Sequence, residues 1–477
     1  MNLNKRIIRT MIIVLGLFLI LVVYLNYFLA FQSDEYVQSS HNGRKREVIS
    51  GTIFDRNGEV LAITEKVNAT KNRIYPHGSL YAPLIGKTYG GNEGLELKYD
   101  RYLTERPSWN LFSSEEVEET ELRGQDMYLT LDHGLMTYIK KHPLVKAQEK
   151  KDHNVNIVIN NPQTGEVYAL YSTRSYDPNK EVLKNNENVD RTSDALYTQY
   201  YCGSVFKIIT AAAAIDNGFG DFEVDDKTGS VIIGGRKFEN DDGKILHETD
   251  MRKAIIKSSN VYFTAVSKKI GKDNMIEAFD KFLITKQIPF EGLKTVESGI
   301  TITERKDGKV KTIDLDECDA AAIASASFGQ EPIKVSPMHM ALAVSAIAND
   351  GKIMKPYLMQ KTVRGNNVKY APEPEVLSRA CSAKAARYVR SYMVDCIDEG
   401  TGAGAKIRGF SYGGKTGTAQ TGKGSPSNAW FVGFAPANDP QISFCVMVDK
   451  GGYGGSICAP IVKDLVNYCR ENGIVTR

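Results

Sequence analysis

The sequence predicts a mixed α/β fold, a central antiparallel sheet covered by helices, preceded by one apolar helix. Three observations carry this reading. First, Ala429–Ala435 (AWFVGFA) and Ile442–Val448 (ISFCVMV) are apolar runs separated by Pro436 and Asp439-Pro440. Short continuous apolar runs bounded by turn residues read as neighbouring antiparallel strands buried on both faces. Second, Val155-Asn156-Ile157-Val158-Ile159 alternates like a strand, Pro162-Gln163-Thr164-Gly165 turns, and Val167–Tyr171 returns as the partner strand of a hairpin. Third, Ser204–Ile215 (SVFKIITAAAAI) is rich in strong helix formers. Pro460–Tyr468 reads as a closing amphipathic helix with Pro460 in its first turn. Sheet and covering helices together fit a layered α/β sandwich.

The N-terminus is of another kind. Met11–Ala30 (MIIVLGLFLILVVYLNYFLA) carries no charge over twenty residues. At about 1.5 Å per residue it is long enough for the roughly 30 Å hydrocarbon layer. Lys5, Arg6 and Arg9 precede it and Asp34 and Glu35 follow, with Arg44, Lys45 and Arg46 further on. The positive-inside rule then puts the N-terminus in the cytoplasm and the rest outside. The run is too long for a signal-peptide core, and no A-x-A site follows it. The expected organisation is a cytoplasmic stub at 1–6, a transmembrane anchor at 7–30, a polar mixed region at 31–150 and a larger folded domain at 151–477. The 477 residues have room for that, at roughly 100–200 residues per domain.

Net charge is +3, and no basic block is interleaved with aromatics, which excludes a nucleic-acid partner. Seven cysteines, at 202, 318, 381, 396, 445, 458 and 469, form no C-x-x-C, so no zinc site is expected. Their odd number and wide scatter predict mostly free thiols.

Three short motifs carry chemistry. Ser204-Val205-Phe206-Lys207 is the chain's one S-x-x-K, and it opens a predicted helix after Gly203. Residues three apart share a helix face, which sets Lys207 beside the Ser204 hydroxyl. A serine hydroxyl needs a base to become a nucleophile, and a lysine can be that base once burial or a nearby cation lowers its pKa. The helix N-terminus adds a positive dipole end at Ser204. Ser258-Ser259-Asn260 is an S-x-N; two others, at 40–42 and 108–110, precede the serine. Ser258 could relay a proton, and Asn260 could hold Lys207 and a substrate amide. Lys415-Thr416-Gly417-Thr418 holds a K-T-G flanked by Gly413-Gly414. A strand edge there can pair with a peptide, and Gly417 permits close backbone approach. Lys415 supplies a second cation to depress Lys207, and Thr416 and Thr418 offer hydroxyls to a carboxylate. A second K-T-G, Lys227-Thr228-Gly229, follows Asp225-Asp226 and reads as a turn.

The ordered set S-x-x-K, S-x-N, K-T-G resembles that of the penicillin-binding proteins and serine β-lactamases. Other stretches agree. Gly51–Ala62 (GTIFDRNGEVLA) is similar to the RGxIxDRNGxxLA stretch of class B penicillin-binding proteins, and Gly94-Leu95-Glu96 with Tyr99-Asp100 resembles their GLExxYD. Phe328-Gly329-Gln330, Ser336-Pro337, Ala348–Gly351 and Trp430–Pro436 resemble later family signals. The departures are Ser50 where an arginine is usual, Asp194 for an arginine, and Tyr201 and Cys202 where prolines stand ahead of the serine.

The resemblance implies a penicillin-binding, serine β-lactamase-like transpeptidase domain behind one transmembrane helix and a non-catalytic α+β pedestal domain. It implies that Ser204 attacks the penultimate D-alanine of a peptidoglycan stem peptide ending in D-Ala-D-Ala, releasing the last residue. An amine on a neighbouring stem would then resolve the acyl-enzyme. Lys207 would be the base and Ser258 the relay. Lys415, Thr416 and Thr418 would hold the carboxylate, and the backbone N–H groups of Ser204 and Thr418 would form the oxyanion hole. β-Lactams would trap Ser204 covalently. No metal or organic cofactor is implied, and a glycan-polymerising membrane partner of the SEDS type is. About 120 residues between anchor and catalytic domain are too few for a glycosyltransferase domain. A D,D-carboxypeptidase shares the site but uses water as acceptor, and a non-catalytic scaffold or β-lactam receptor is the rival of another class.

Overall fold

The two late apolar runs form the middle of a sheet, as their composition requires. The structure is a computed structural model describing residues 3–31, 48–67, 70–86, 94–105, 123–180, 193–291, 293, 295–296, 299–300, 304–306, 309–311, 318–422 and 424–476. Val155–Asn160 (β1) and Val167–Ser172 (β2) make the expected hairpin. Gly413–Ala419 (β3), Asn428–Ala435 (β4) and Ile442–Val448 (β5) complete one antiparallel sheet in the order β3-β4-β5-β1-β2. Ala435 pairs with Ile442 and Ala429 with Val448, so the turn holding Pro436 and Asp439-Pro440 sets β4 and β5 in full register. Every residue of β1, β4 and β5 is buried, which requires cover on both faces.

Among the covering helices, Lys207–Asp216 (α1), Met251–Lys257 (α2) and Asn260–Ile270 (α3) lead from the S-x-x-K and the S-x-N into the core. Pro337–Ala348 (α4) packs on β5 and β1 and is buried along its whole length. A helix apolar all round has to be buried. Its one inward hydroxyl, Ser345, is satisfied by Ser443 at 2.7 Å and Asn160 at 2.9 Å on the sheet. The closing helix, Gly454–Glu471 (α5), starts well before Pro460 and carries that proline inside it rather than in its first turn. Propensity hid this start, because two glycines open the helix. They are there for packing: a methyl on Gly454 would overlap the carbonyl oxygens of Gly417 on β3 and Trp430 on β4.

A second sheet fed by strands from both sides of residue 150 was not foreseen. Its six strands lie in the order Asn367–Tyr370, Met359–Arg364, Asp126–Leu129, Ile53–Phe54, Val60–Val67, Thr70–Ile74. It therefore joins segments from before residue 150 to segments far beyond it. The early motif residues tie it together. Glu96 pairs with Arg73 at 2.8 Å, and Arg73 also donates to the Gly51 carbonyl at 2.7 Å. Asp55 accepts from the backbone of Asn57 and Glu59 and, at 2.9 Å, from His133 at the start of the helix His133–Lys141.

The N-terminal segment is one helix, Leu3–Phe31, whose described side chains from Met11 to Tyr24 are all exposed. Among the described residues no helix is long and apolar enough to cross a membrane. The described side chains stop at Tyr24, short of the apolar run's end at Ala30, so the spanning reading rests on sequence. Asp34, Glu35, Arg44, Lys45, Arg46 and the S-x-N copies at 40–42 and 108–110 lie outside the described residues. All seven cysteines are free thiols, and Cys381 alone is not fully buried.

Candidate active site

Ser204 does not open an α-helix. It lies in a 3-10 turn, Gly203–Phe206, that hands over to α1 at Lys207. The tighter turn follows from how closely the backbone is clamped. Gly203 takes a left-handed φ of 59°, and a Cβ there would lie 2.5 Å from the Thr418 carbonyl oxygen. Its N–H donates to the Gly329 carbonyl at 2.8 Å. Across the contact, a Cβ on Gly417 would lie 2.7 Å from the Cys202 carbonyl oxygen. The serine turn is thus pressed onto β3, backbone against backbone. In a 3-10 turn residues i and i+3 eclipse, so Ser204 and Lys207 still share one side. Ser204 is half-buried and faces a cleft of about 1040 Å3, whose walls include Tyr201, Ser258, Asn260, Thr416 and Thr418.

The S-x-N is made by the junction of two helices. Ser258 ends α2 in the left-handed region at φ 59°, ψ 44°, and Ser259 then caps α3 by accepting from the Tyr262 N–H at 3.1 Å. That kink turns both oxygens of Ser258 onto one amine. Lys207 Nζ donates to the Ser258 carbonyl at 2.6 Å, lies 3.2 Å from Ser258 Oγ, and donates to Asn260 Oδ1 at 2.7 Å. Lys415 Nζ reaches the same Ser258 Oγ at 3.1 Å and the Thr416 carbonyl at 3.0 Å. Ser258 Oγ therefore bridges two fully buried lysines. Burial first, and the Lys415 charge second, hold Lys207 well below the usual lysine range; Asp241 opposes them. Burial also lowers Lys415.

β3 is the edge strand of its sheet. Thr416 Oγ1 donates to Thr401 Oγ1 at 2.8 Å, and Thr418 Oγ1 accepts from the Gly454 N–H at 3.3 Å. Of the eight residues singled out by the motifs, Ser204, Ser258, Asn260, Thr416 and Thr418 line one cleft, Lys207 and Lys415 meet on Ser258, and Gly417 lies against the serine turn. The approach loop, where prolines are replaced, is held by other means. Trp430 Nε1 donates to the Tyr201 carbonyl at 3.0 Å, and Cys202 is buried with its thiol pKa pushed up by that burial.

Sequence reasoning missed Asn240. Its side-chain oxygen accepts from Ser259 Oγ, the Asn260 N–H and the Val261 N–H at 2.8–3.1 Å. Its amide nitrogen donates to Asp226 at 2.7 Å, and Asp226 also accepts from the Gly229 N–H at 2.7 Å. The second K-T-G is therefore the predicted turn, with Lys227 exposed and paired to Asp225 at 2.9 Å. Its neighbour Asp226 braces the S-x-N from behind. No spacing rule links 240 to 259. The turn string Asn240-Asp241-Asp242-Gly243 was the one mark on that position.

Residues 155–467 match the family model of the penicillin-binding protein transpeptidase domain. Among similar proteins is the peptidoglycan D,D-transpeptidase MrdA of Acinetobacter baumannii, 27% identical over 84% of this chain and 66% of that protein. Penicillin-binding protein 3 of Bacillus subtilis is 25% identical over 81% of this chain and 60% of its own length. The chain thus spans less than two thirds of these relatives. A crystal structure of penicillin-binding protein 3 of Mycobacterium tuberculosis complexed with aztreonam superposes with a TM-score of 0.74 at 25% identity, covering 90% of this chain and 97% of that one. With the family model matched over most of its length and the three motifs gathered at one cleft, the chain belongs to the penicillin-binding protein transpeptidase family, as a class B member.

Proposed function

We propose that this chain is a serine D,D-transpeptidase that cross-links peptidoglycan stem peptides through an acyl-enzyme on Ser204. One observation carries the reading: two buried lysines share the Ser258 hydroxyl beside a half-exposed serine. The chemistry follows from the donors. A neutral Lys207 has two N–H bonds, and the Ser258 carbonyl and Asn260 Oδ1 can only accept. Both hydrogens are spent on them, which leaves the lone pair for a hydroxyl proton. Ser204 Oγ attacks the penultimate D-alanine carbonyl as Lys207 takes its proton. The negative charge falls between the backbone N–H groups of Ser204 and Thr418. The proton then passes through Ser258 to the departing amine of the terminal D-alanine, and the amine of a second stem attacks the ester. Lys415, Thr416 and Thr418 hold the donor's terminal carboxylate, and Gly417 keeps β3 close to the serine turn.

The likeness to a D,D-transpeptidase and to a structure complexed with a β-lactam supports this reading. In the same proposal, residues 7–30 anchor the chain in a bacterial cell membrane with the N-terminus in the cytoplasm. Residues 31–150 form the pedestal, and a SEDS-type polymerase supplies glycan strands. Intact-mass spectrometry of residues 31–477 incubated with penicillin tests the chemistry. One adduct on the Ser204 peptide, absent from Ser204→Ala, is expected. No adduct on folded protein would instead favour a scaffold. Product analysis with an amine acceptor separates transpeptidation from hydrolysis by water.

A further inference from the structure

Away from the cleft, three ligand-bearing side chains converge beside the six-stranded sheet. Glu59 comes from the turn after Asp55, His77 from the loop after the strand Thr70–Ile74, and His133 from the start of the helix His133–Lys141. One ligand atom from each lies within 4.8 Å of the others. His77 Nε2 is buried and 3.2 Å from Glu59 Oε1, yet it makes no hydrogen bond. Their separation fits something else. A tetrahedral ion with bonds of about 2.0–2.1 Å holds its ligands roughly 3.3 Å apart.

The surroundings favour a cation. Asp55 is taken up by the N–H groups of Asn57, Glu59 and His133, and Asp132 by the Leu135 N–H and the Asn57 side chain. Glu59 is the carboxylate left facing an imidazole. The His77 and His133 rings lie 4.1 Å apart between centroids. His133 Nδ1 is 2.9 Å from the Tyr81 hydroxyl, and its Nε2 is 3.2 Å from Thr137 Oγ1. A phenol on Nδ1 fixes the ring as outer partners of metal-bound histidines do. Two imidazoles and one carboxylate suit zinc rather than calcium or magnesium, which take oxygen ligands. The Glu59 side chain is 50% exposed, which gives an ion and its water a way in.

We propose that Glu59, His77 and His133 bind one divalent ion of the zinc class, with water in the remaining position. The ion fastens the turn, the loop and the helix to one another. It stands apart from the Ser204 cleft and is independent of the proposed transpeptidation.

Zinc titration calorimetry on the chelator-treated full-length chain in detergent tests it, with cobalt(II) absorption as a second reading. One zinc per chain is expected, with cobalt bands of a four- or five-coordinate site. Glu59→Gln, which keeps the side chain's shape, should weaken binding about tenfold or more, as should His77→Ala. Tyr81→Phe should weaken it by about tenfold, and His247→Ala, at an exposed histidine elsewhere, should not change it. Circular dichroism of the metal-free variants establishes that they fold. No zinc uptake by the parent chain, or uptake undiminished in the His77→Ala/His133→Ala variant, overturns the proposal.

Discussion

At the scale of single residues, the site turns on one buried amine whose pKa is lowered. Lys207 is lowered by burial and by Lys415, and raised by Asp241. Acylation should therefore rise with pH as Lys207 loses its proton, over a range below the ordinary lysine pKa. Two substitutions should move that rise in opposite directions. Lys415→Met removes the repelling cation and shifts it to higher pH. Asp241→Asn removes the stabilising anion and shifts it to lower pH. Stopped-flow acylation by a chromogenic cephalosporin reads both, and equal pH profiles would refute the coupling. The Ser204, Ser258 and Lys415 motifs were legible because their chemistry fixes residue type, spacing and order together. Asn240 was not, since its role comes from the αL kink at Ser258, which no spacing encodes. Glu59, His77 and His133 were equally hidden, because three separate segments contribute one ligand each.

Individual elements show where local preference yields to packing. The four strands read from apolar or alternating runs, Val155–Asn160, Val167–Ser172, Asn428–Ala435 and Ile442–Val448, fell within one residue of the reading at either end, since such runs bounded by turn residues have few alternatives. The start of α5 was misread because Gly454 is chosen for the space it leaves against β3 and β4. Gly454→Ala should then destabilise the fold by about 1–3 kcal/mol, read by urea denaturation, although alanine is the better helix former. The S-x-N junction depends similarly on its brace. Asn240→Ala strips three donors of their acceptor and should cost about 2 kcal/mol or more, and it should slow acylation by freeing Asn260. Lys227→Ala, on the exposed turn nearby, should change stability by no more than about 0.5 kcal/mol and leave acylation untouched. A large loss there would mean that the wrong K-T-G was assigned to the site.

On the scale of the whole molecule, the six-stranded sheet was beyond reach from sequence. Four of its six strands have five residues or fewer, and the pairing of Met359–Arg364 with Asp126–Leu129 spans over two hundred residues. The boundary near residue 150, read from a change of texture, cuts across it. A fragment of 151–477 would bare the edge of Met359–Arg364, and exposed strand edges recruit other chains. Size-exclusion chromatography should find that fragment aggregated and 48–477 monodisperse. The same sheet also has a mechanical consequence. The chain enters it at Ile53–Phe54, an interior strand laddered to Val60–Val67 on one side and to Asp126–Leu129 on the other. Tension applied through the N-terminus cannot peel that strand from a free edge. It must shear two ladders at once, and the load is spread before it reaches the sheet that carries Lys415.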